Sequence, residues 1–143
     1  VLKVELYNAT GVLVSSAQGN IVYSATTGGF SGDVILSNVS SGSYLIKVKT
    51  DKYLRKLLTG IITLTPGTTS QIPEVTLAVG DINGDLLRNF ADYNILIGCY
   101  SDLLPAKDCD ATRKFNSDIS DDGNTNQDDY NLYLREASVQ TGD

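Results

Sequence analysis

Two twelve-residue stretches constrain this chain more than anything else in it. Residues 81–92 and 118–129 each place oxygen-bearing side chains at positions 1, 3, 5, 9 and 12. In the first loop these are Asp81, Asn83, Asp85, Asn89 and Asp92. In the second they are Asp118, Ser120, Asp122, Asn126 and Asp129. Position 7, Leu87 in one copy and Asn124 in the other, can add a backbone carbonyl. A hard cation such as calcium takes six to eight oxygens, and a loop of this spacing can wrap it. The copies start 37 residues apart, and each runs through Asp-Tyr-Asn into an apolar stretch, so they form an internal repeat. The plainer alternative is a pair of Asx-turn loops without metal.

Each loop is expected to lead straight into a helix. Tyr93, Leu96, Ile97 and Tyr100 recur at helical spacing, as do Tyr130, Tyr133 and Leu134. Nothing before Asp81 reads as an entering helix; Val75–Val79 reads as a strand.

Gly80-Asp81-Ile82-Asn83-Gly84-Asp85 and its repeat resemble the dockerin module of bacterial extracellular proteins, over residues 80–136. The resemblance implies two calcium ions, held by the side chains above, and a docking role. Two positions depart from the pattern. Position 6, where the chain turns with positive φ, is Gly123 in the second loop but Leu86 in the first. Position 8 is Arg88 and Thr125 rather than an aliphatic residue. The first site is therefore expected to be the weaker.

Residues 1–79 read as a β-sandwich, with apolar runs every eight to twelve residues between turn signals. The expected strands are Val1–Tyr7, Val12–Ser15, Ile21–Ala25, Asp33–Leu36, Ser43–Thr50, Tyr53–Leu58, Ile61–Leu64 and Gln71–Val79. Thr26–Phe30 and Asn38–Val48 resemble the carboxypeptidase-regulatory, or transthyretin-like, sandwich, which implies a non-catalytic spacer. Lys3 and Glu5 share a face, but the last strand has no Asn for an isopeptide staple. The expected fold is thus a transthyretin- or Ig-like sandwich (1–79) joined directly to a small helical module with two EF-hand-like loops (80–143). So abrupt a junction is expected to couple the modules stiffly.

Charge divides unevenly. Residues 1–79 carry a net +2 and residues 80–143 a net −8. That acidity argues against nucleic acid as a partner. Lys47, Lys49, Lys52, Arg55 and Lys56 read either as a solvated strand face or as a docking patch for an acidic partner.

Histidine is absent, which excludes histidine-assisted nucleophilic catalysis, and the clustered acids are already assigned as ligands. No enzyme is expected. No run of eighteen apolar residues offers a membrane span. The start at Val1, with no signal-like stretch, reads as a processed chain or a fragment. Cys99 and Cys109 can close a loop as a disulfide or remain reduced; the disulfide fits a secreted protein.

Two roles follow. One is an extracellular structural subunit, binding other copies of itself head to tail into a filament. The other is a docking fragment that grips a cohesin-like receptor. In both, the contact residues are those flanking position 12: Phe90, Ala91, Asn94, Gln127, Asp128 and Asn131.

Overall fold

A computed structural model describes residues 1–139. The chain divides into two compact units. One comprises Val1–Thr50 and Arg55–Thr76; the other comprises Asp51–Leu54 and Leu77–Asp143. The second unit is therefore assembled from two separate stretches of sequence.

The first unit is built on β1 (Leu2–Tyr7), β2 (Leu13–Gly19) and β5 (Gly42–Thr50). β1 lies between β2 and β5, antiparallel to both. The short strands β7 (Lys56–Leu57) and β8 (Ile62–Leu64) pair with β5, and β3 (Val22–Ser24) pairs with β4 (Gly29–Ser31). β1 and β5 are in register with Val4 opposite Val48 and Leu6 opposite Ile46. All four are buried, with Tyr44 and Leu58. Alternation along β5 is as the sequence implies: Tyr44, Ile46 and Val48 point inward, while Leu45, Lys47 and Lys49 are half-buried. Each such apolar side chain contributes roughly 1.5–3 kcal/mol on burial.

The result is sandwich-like but has fewer strands than expected. Asp33–Leu36 forms no ladder: Val34 and Leu36 are half-buried and Ile35 is 84% exposed. Gln71–Val79 is irregular up to Ala78. Tyr53–Leu58 is broken in two. Lys52 adopts a left-handed φ of 65°, the chain leaves β5, and it returns at Lys56.

In the second unit, β6 (Lys52–Tyr53) pairs antiparallel with β9 (Val79–Asp81), and Leu54 N donates to Ala78 O at 2.8 Å. Three helices follow: α1 (Phe90–Cys99), α2 (Ala111–Ser117) and α3 (Gln127–Val139). Val79, Ile82, Leu96, Ile119 and Tyr133 form the core, with Tyr93 and Tyr130 packed against it. The Tyr93 ring centroid lies 6.4 Å from that of Tyr130 and 6.2 Å from that of Tyr133.

The inward faces of α1 and α3 match position for position. Asp92, Leu96 and Cys99 are buried on one; Asp129, Tyr133 and Glu136 are buried on the other. Ile97 and Leu134, expected on those faces, are instead 43% and 44% exposed. The faces are wound around the buried carboxylate at loop position 12, which draws the stripe one residue back. Helix α2 was not anticipated. Its seven residues carry no apolar stripe, and its one signal is Asp110, whose side chain caps it by accepting from Arg113 N. Cys99 and Cys109 form a disulfide across the α1–α2 connection, with Cα atoms 4.9 Å apart.

Candidate metal centre

Both loops are closed by one scheme of hydrogen bonds. The position-1 carboxylate accepts from the position-6 amide: Asp81 from Leu86 N at 3.2 Å, Asp118 from Gly123 N at 2.9 Å. The position-5 carboxylate accepts from position 7: Asp85 from Leu87 N and Asp122 from Asn124 N, each at 2.8 Å. The position-12 carboxylate spans the loop. Asp92 accepts from Asn83 N at 3.0 Å with one oxygen and from Asn89 N at 2.9 Å with the other. Asp129 accepts likewise from Ser120 N and Asn126 N, both at 2.8 Å. Asn89 and Asn126 then accept from Ala91 N and Asp128 N at the start of the helices. Asn89 and Asp92 form a reciprocal capping box on α1.

Positions 4 and 6 are left-handed in both copies, and the glycines are distributed oppositely. The first loop has Gly84 (φ 79°) and Leu86 (φ 72°); the second has Asp121 (φ 60°) and Gly123 (φ 90°). Leu86 therefore does not reshape the first loop. It adopts the glycine-like conformation, at a strain of about 1–2 kcal/mol.

Of the unusual residues at position 8, Arg88 is hydrogen-bonded through its side chain, whereas Thr125 Oγ1 is buried without a hydrogen-bond partner. Arg88 Nη1 donates to Val79 O at 2.9 Å. Thr125 is fully buried, and its carbonyl accepts from Ser101 N at 2.9 Å.

The acid side chains are unusually enclosed. Asp81, Asp92 and Asp129 are at most 1% exposed, and Asp118 is 9% exposed. Asn83, Asp85, Leu87, Asn89, Asp122 and Asn124 face solvent, while Ser120 and Asn126 are half-buried. Carboxylate oxygens of Asp118, Asp122 and Asp129 lie within 4.8 Å of one another; no other group of three acidic or cysteine side chains among the described residues is drawn so close. Repulsion at that distance is on the order of 3 kcal/mol per pair at an effective dielectric near 20, and less where Asp122 meets solvent.

Ser120 Oγ at position 3 is buried without a hydrogen-bond partner. An orphan hydroxyl beside three converging carboxylates is a donor set that fits a hard, oxygen-seeking cation. The first loop offers the same positions with its carboxylates wider apart. Nearby phenols register this environment. Burial first, and then the charge of Asp92, push Tyr133 up to about 12 against the opposing pull of Arg88. Burial, Asp121 and Glu136 likewise raise Tyr53.

The expected contact residues Phe90, Ala91, Asn94, Gln127, Asp128 and Asn131 are all exposed, Phe90 by 82%. The expected basic patch is not one surface. Lys52 is only 5% exposed and belongs to the second unit, where its ammonium meets Asp118 O and Asp121 Oδ1 at 2.5 Å. Arg55 belongs to the first unit, where it meets Glu5 and Tyr7. Sequence reading placed Lys52 on a solvated strand; the left-handed turn at that residue carries it away. Among the described residues no helix is long and apolar enough to cross a membrane.

No protein family and no curated protein matches this chain. Among solved structures, this chain is similar to a chain from the crystal structure of a C-terminal interface mutant of a type II cohesin–X–dockerin complex from Acetivibrio cellulolyticus. It has a TM-score of 0.55 at 18% identity, covering 94% of this chain and 79% of that chain. The likeness is one of fold and runs across nearly all of the sequence.

Proposed function

We propose that this chain is a non-catalytic docking module of an extracellular assembly, with a calcium-stabilised, dockerin-like second unit that grips a cohesin-like receptor. The observation that carries this reading is the repeat. Two loops, each closed by the same carboxylate-to-amide bonds at positions 1, 5 and 12, open into helices with matching buried faces. Calcium supplies the positive charge that this cage of acids otherwise lacks. Asp81, Asn83, Asp85, Asn89 and Asp92 would hold one ion, with the Leu87 carbonyl. Asp118, Ser120, Asp122, Asn126 and Asp129 would hold the other, with the Asn124 carbonyl. The disulfide agrees with an oxidising, extracellular setting. Exposed side chains around Phe90 and Gln127 offer the docking face.

A second reading has its own support. The similar complex contains a cohesin as well as a dockerin. If the sheet-rich unit acts as a cohesin-like receptor, the partner is a dockerin-type module. Head-to-tail filament formation is less favoured, because its proposed receptor patch divides between the two units.

The test is to offer the calcium-loaded chain to surface-bound type II cohesin and, separately, to surface-bound dockerin. Cohesin binding that disappears in chelator supports the dockerin-like reading. Binding to dockerin alone assigns the receptor role instead. Concentration-dependent polymers in sedimentation velocity would reinstate the filament. Melting in calcium and in chelator adds a second check: one saturated site adds about 4 kcal/mol when free calcium is a thousand times the dissociation constant. A helical signal that melts at one temperature in both buffers would refute calcium stabilisation.

A further inference from the structure

Lys52 lies 66 residues before Asp118, outside the repeat, yet its side chain ends in the second loop. The ammonium donates to the carbonyl of Asp118, at position 1, and to the carboxylate of Asp121, at position 4. It also lies over the Phe115 ring, 4.5 Å from the centroid. Its backbone pairs in register with Asp81, which is position 1 of the first loop. One residue is thus attached to the first position of both loops.

The glycine distribution gives this contact a purpose. Position 4 must adopt positive φ, which Gly84 does freely in the first loop. In the second loop Asp121 does so, and it is the residue Lys52 holds. We infer that Lys52 is a positioning residue for the second metal loop, pinning Asp121 in the left-handed conformation and so preforming the cage of Asp118, Asp122 and Asp129. This rests on the calcium reading above.

Simple electrostatics predicts the opposite effect, since an ammonium repels a nearby cation. Here Asp121 neutralises that charge at 2.5 Å, so the pair presents a dipole rather than a net charge to the ion. Preorganisation is then the larger effect.

The 143-residue chain carries its own reporters, because Gly84 and Gly123 place one glycine amide in each loop. Calcium is titrated into 15N-labelled protein and each amide is followed by NMR. Lys52→Met should raise the calcium needed at Gly123 by about tenfold, as expected when the buried Lys52 ammonium no longer donates to Asp118 O and to the solvent-facing carboxylate of Asp121. Gly84 should change by less than about threefold on the same scale. Lys52→Arg should behave as wild type, and adding Asp121→Gly to Lys52→Met should restore binding at Gly123. Unchanged or tighter binding at Gly123 in Lys52→Met overturns the inference. So does equal weakening at both loops without rescue by Asp121→Gly.

If neither amide of the wild type responds to calcium, the calcium reading itself has failed. Amide exchange in metal-free protein then decides the matter. Faster exchange at Asp122 and Gly123 in Lys52→Met, with Leu86 unchanged, upholds the anchor; equal rates in mutant and wild type reject it.

Discussion

Gly80→Ala tests how tightly β9 is joined to the first loop. Gly80 has φ 119°, a conformation that L side chains rarely adopt, and imposing it on alanine costs about 1–3 kcal/mol. There is also no room for a methyl group. A Cβ at this position would lie 2.6 Å from Arg88 Cδ, 3.3 Å from Arg88 Cγ and 3.2 Å from Tyr133 Cε2. Arg88 is flexible, but moving it breaks its bond to Val79 O, a further loss of about 1 kcal/mol. The sum is roughly 2–4 kcal/mol. For a unit of this size that lowers the midpoint by roughly 10–25 °C.

The assay is thermal unfolding in saturating calcium, followed by the helical signal, which arises from the second unit. Combining Gly80→Ala with Arg88→Ala separates the two contributions. Measured in an Arg88→Ala background, where the bond to Val79 O is already absent, Gly80→Ala should cost about 1 kcal/mol less, leaving the backbone part. A midpoint shift below about 4 °C for Gly80→Ala, equivalent to less than 1 kcal/mol, would refute the reasoning. No cost of Gly80→Ala in the Arg88→Ala background would refute the backbone argument alone.

Leu86→Gly should relieve left-handed strain worth about 1–2 kcal/mol but free the unfolded chain by about 0.4–1, so a small gain in stability is expected by the same melt. A clear loss would show that the half-buried Leu86 side chain matters more than its backbone. Reducing the Cys99–Cys109 bond should cost roughly 3 kcal/mol by loop-closure reasoning, read as a lower midpoint in reductant that a double Cys→Ser variant reproduces. Glu5 gives a pH signature in the first unit. Burial would raise its carboxyl, but hydrogen bonds from Lys3 and Tyr7 and the charges of Lys3 and Arg55 hold it below the ordinary 4.5. Its folded value lies under its unfolded one, so its contribution is present above about pH 4.5 and fades as pH falls through the lower folded value. Glu5→Gln should flatten this acid limb in a urea-melt series between pH 3 and pH 6; an unchanged slope would remove Glu5 from the account.

The repeat was legible because its chemistry is periodic. Carboxylates and amides at fixed loop positions, each followed by a helix, need nothing distant to be recognised. β1 and β5 were legible too, because half-buried strands alternate. Asp33–Leu36 misled for another reason: Val34, Ile35 and Leu36 make a short apolar run between turn signals, yet the run pairs with no strand. Helix α2 escaped because its seven residues, with only Ala111 and Phe115 apolar, carry no stripe. Lys52 was the largest loss. Its neighbours Lys47, Lys49 and Lys56 made it look like one more surface cation, and only the turn at φ 65° takes it elsewhere. No local pattern announces a contact across 66 residues.

The division of the chain has a consequence for anyone who wishes to move its parts. A fragment beginning at Leu77 would lack Asp51–Leu54, leaving β9 with a bare edge and the second loop without its lysine. A fragment ending at Thr76 would carry that four-residue stretch with nothing for it to pair with. A single cut there, whether made by a protease, a cloning boundary or a recombination event, leaves the second unit incomplete and the first with an unpaired insert. The second unit can be transplanted intact only as two pieces, or together with the sheet that carries the first of them. The pair is therefore best treated as one heritable cassette.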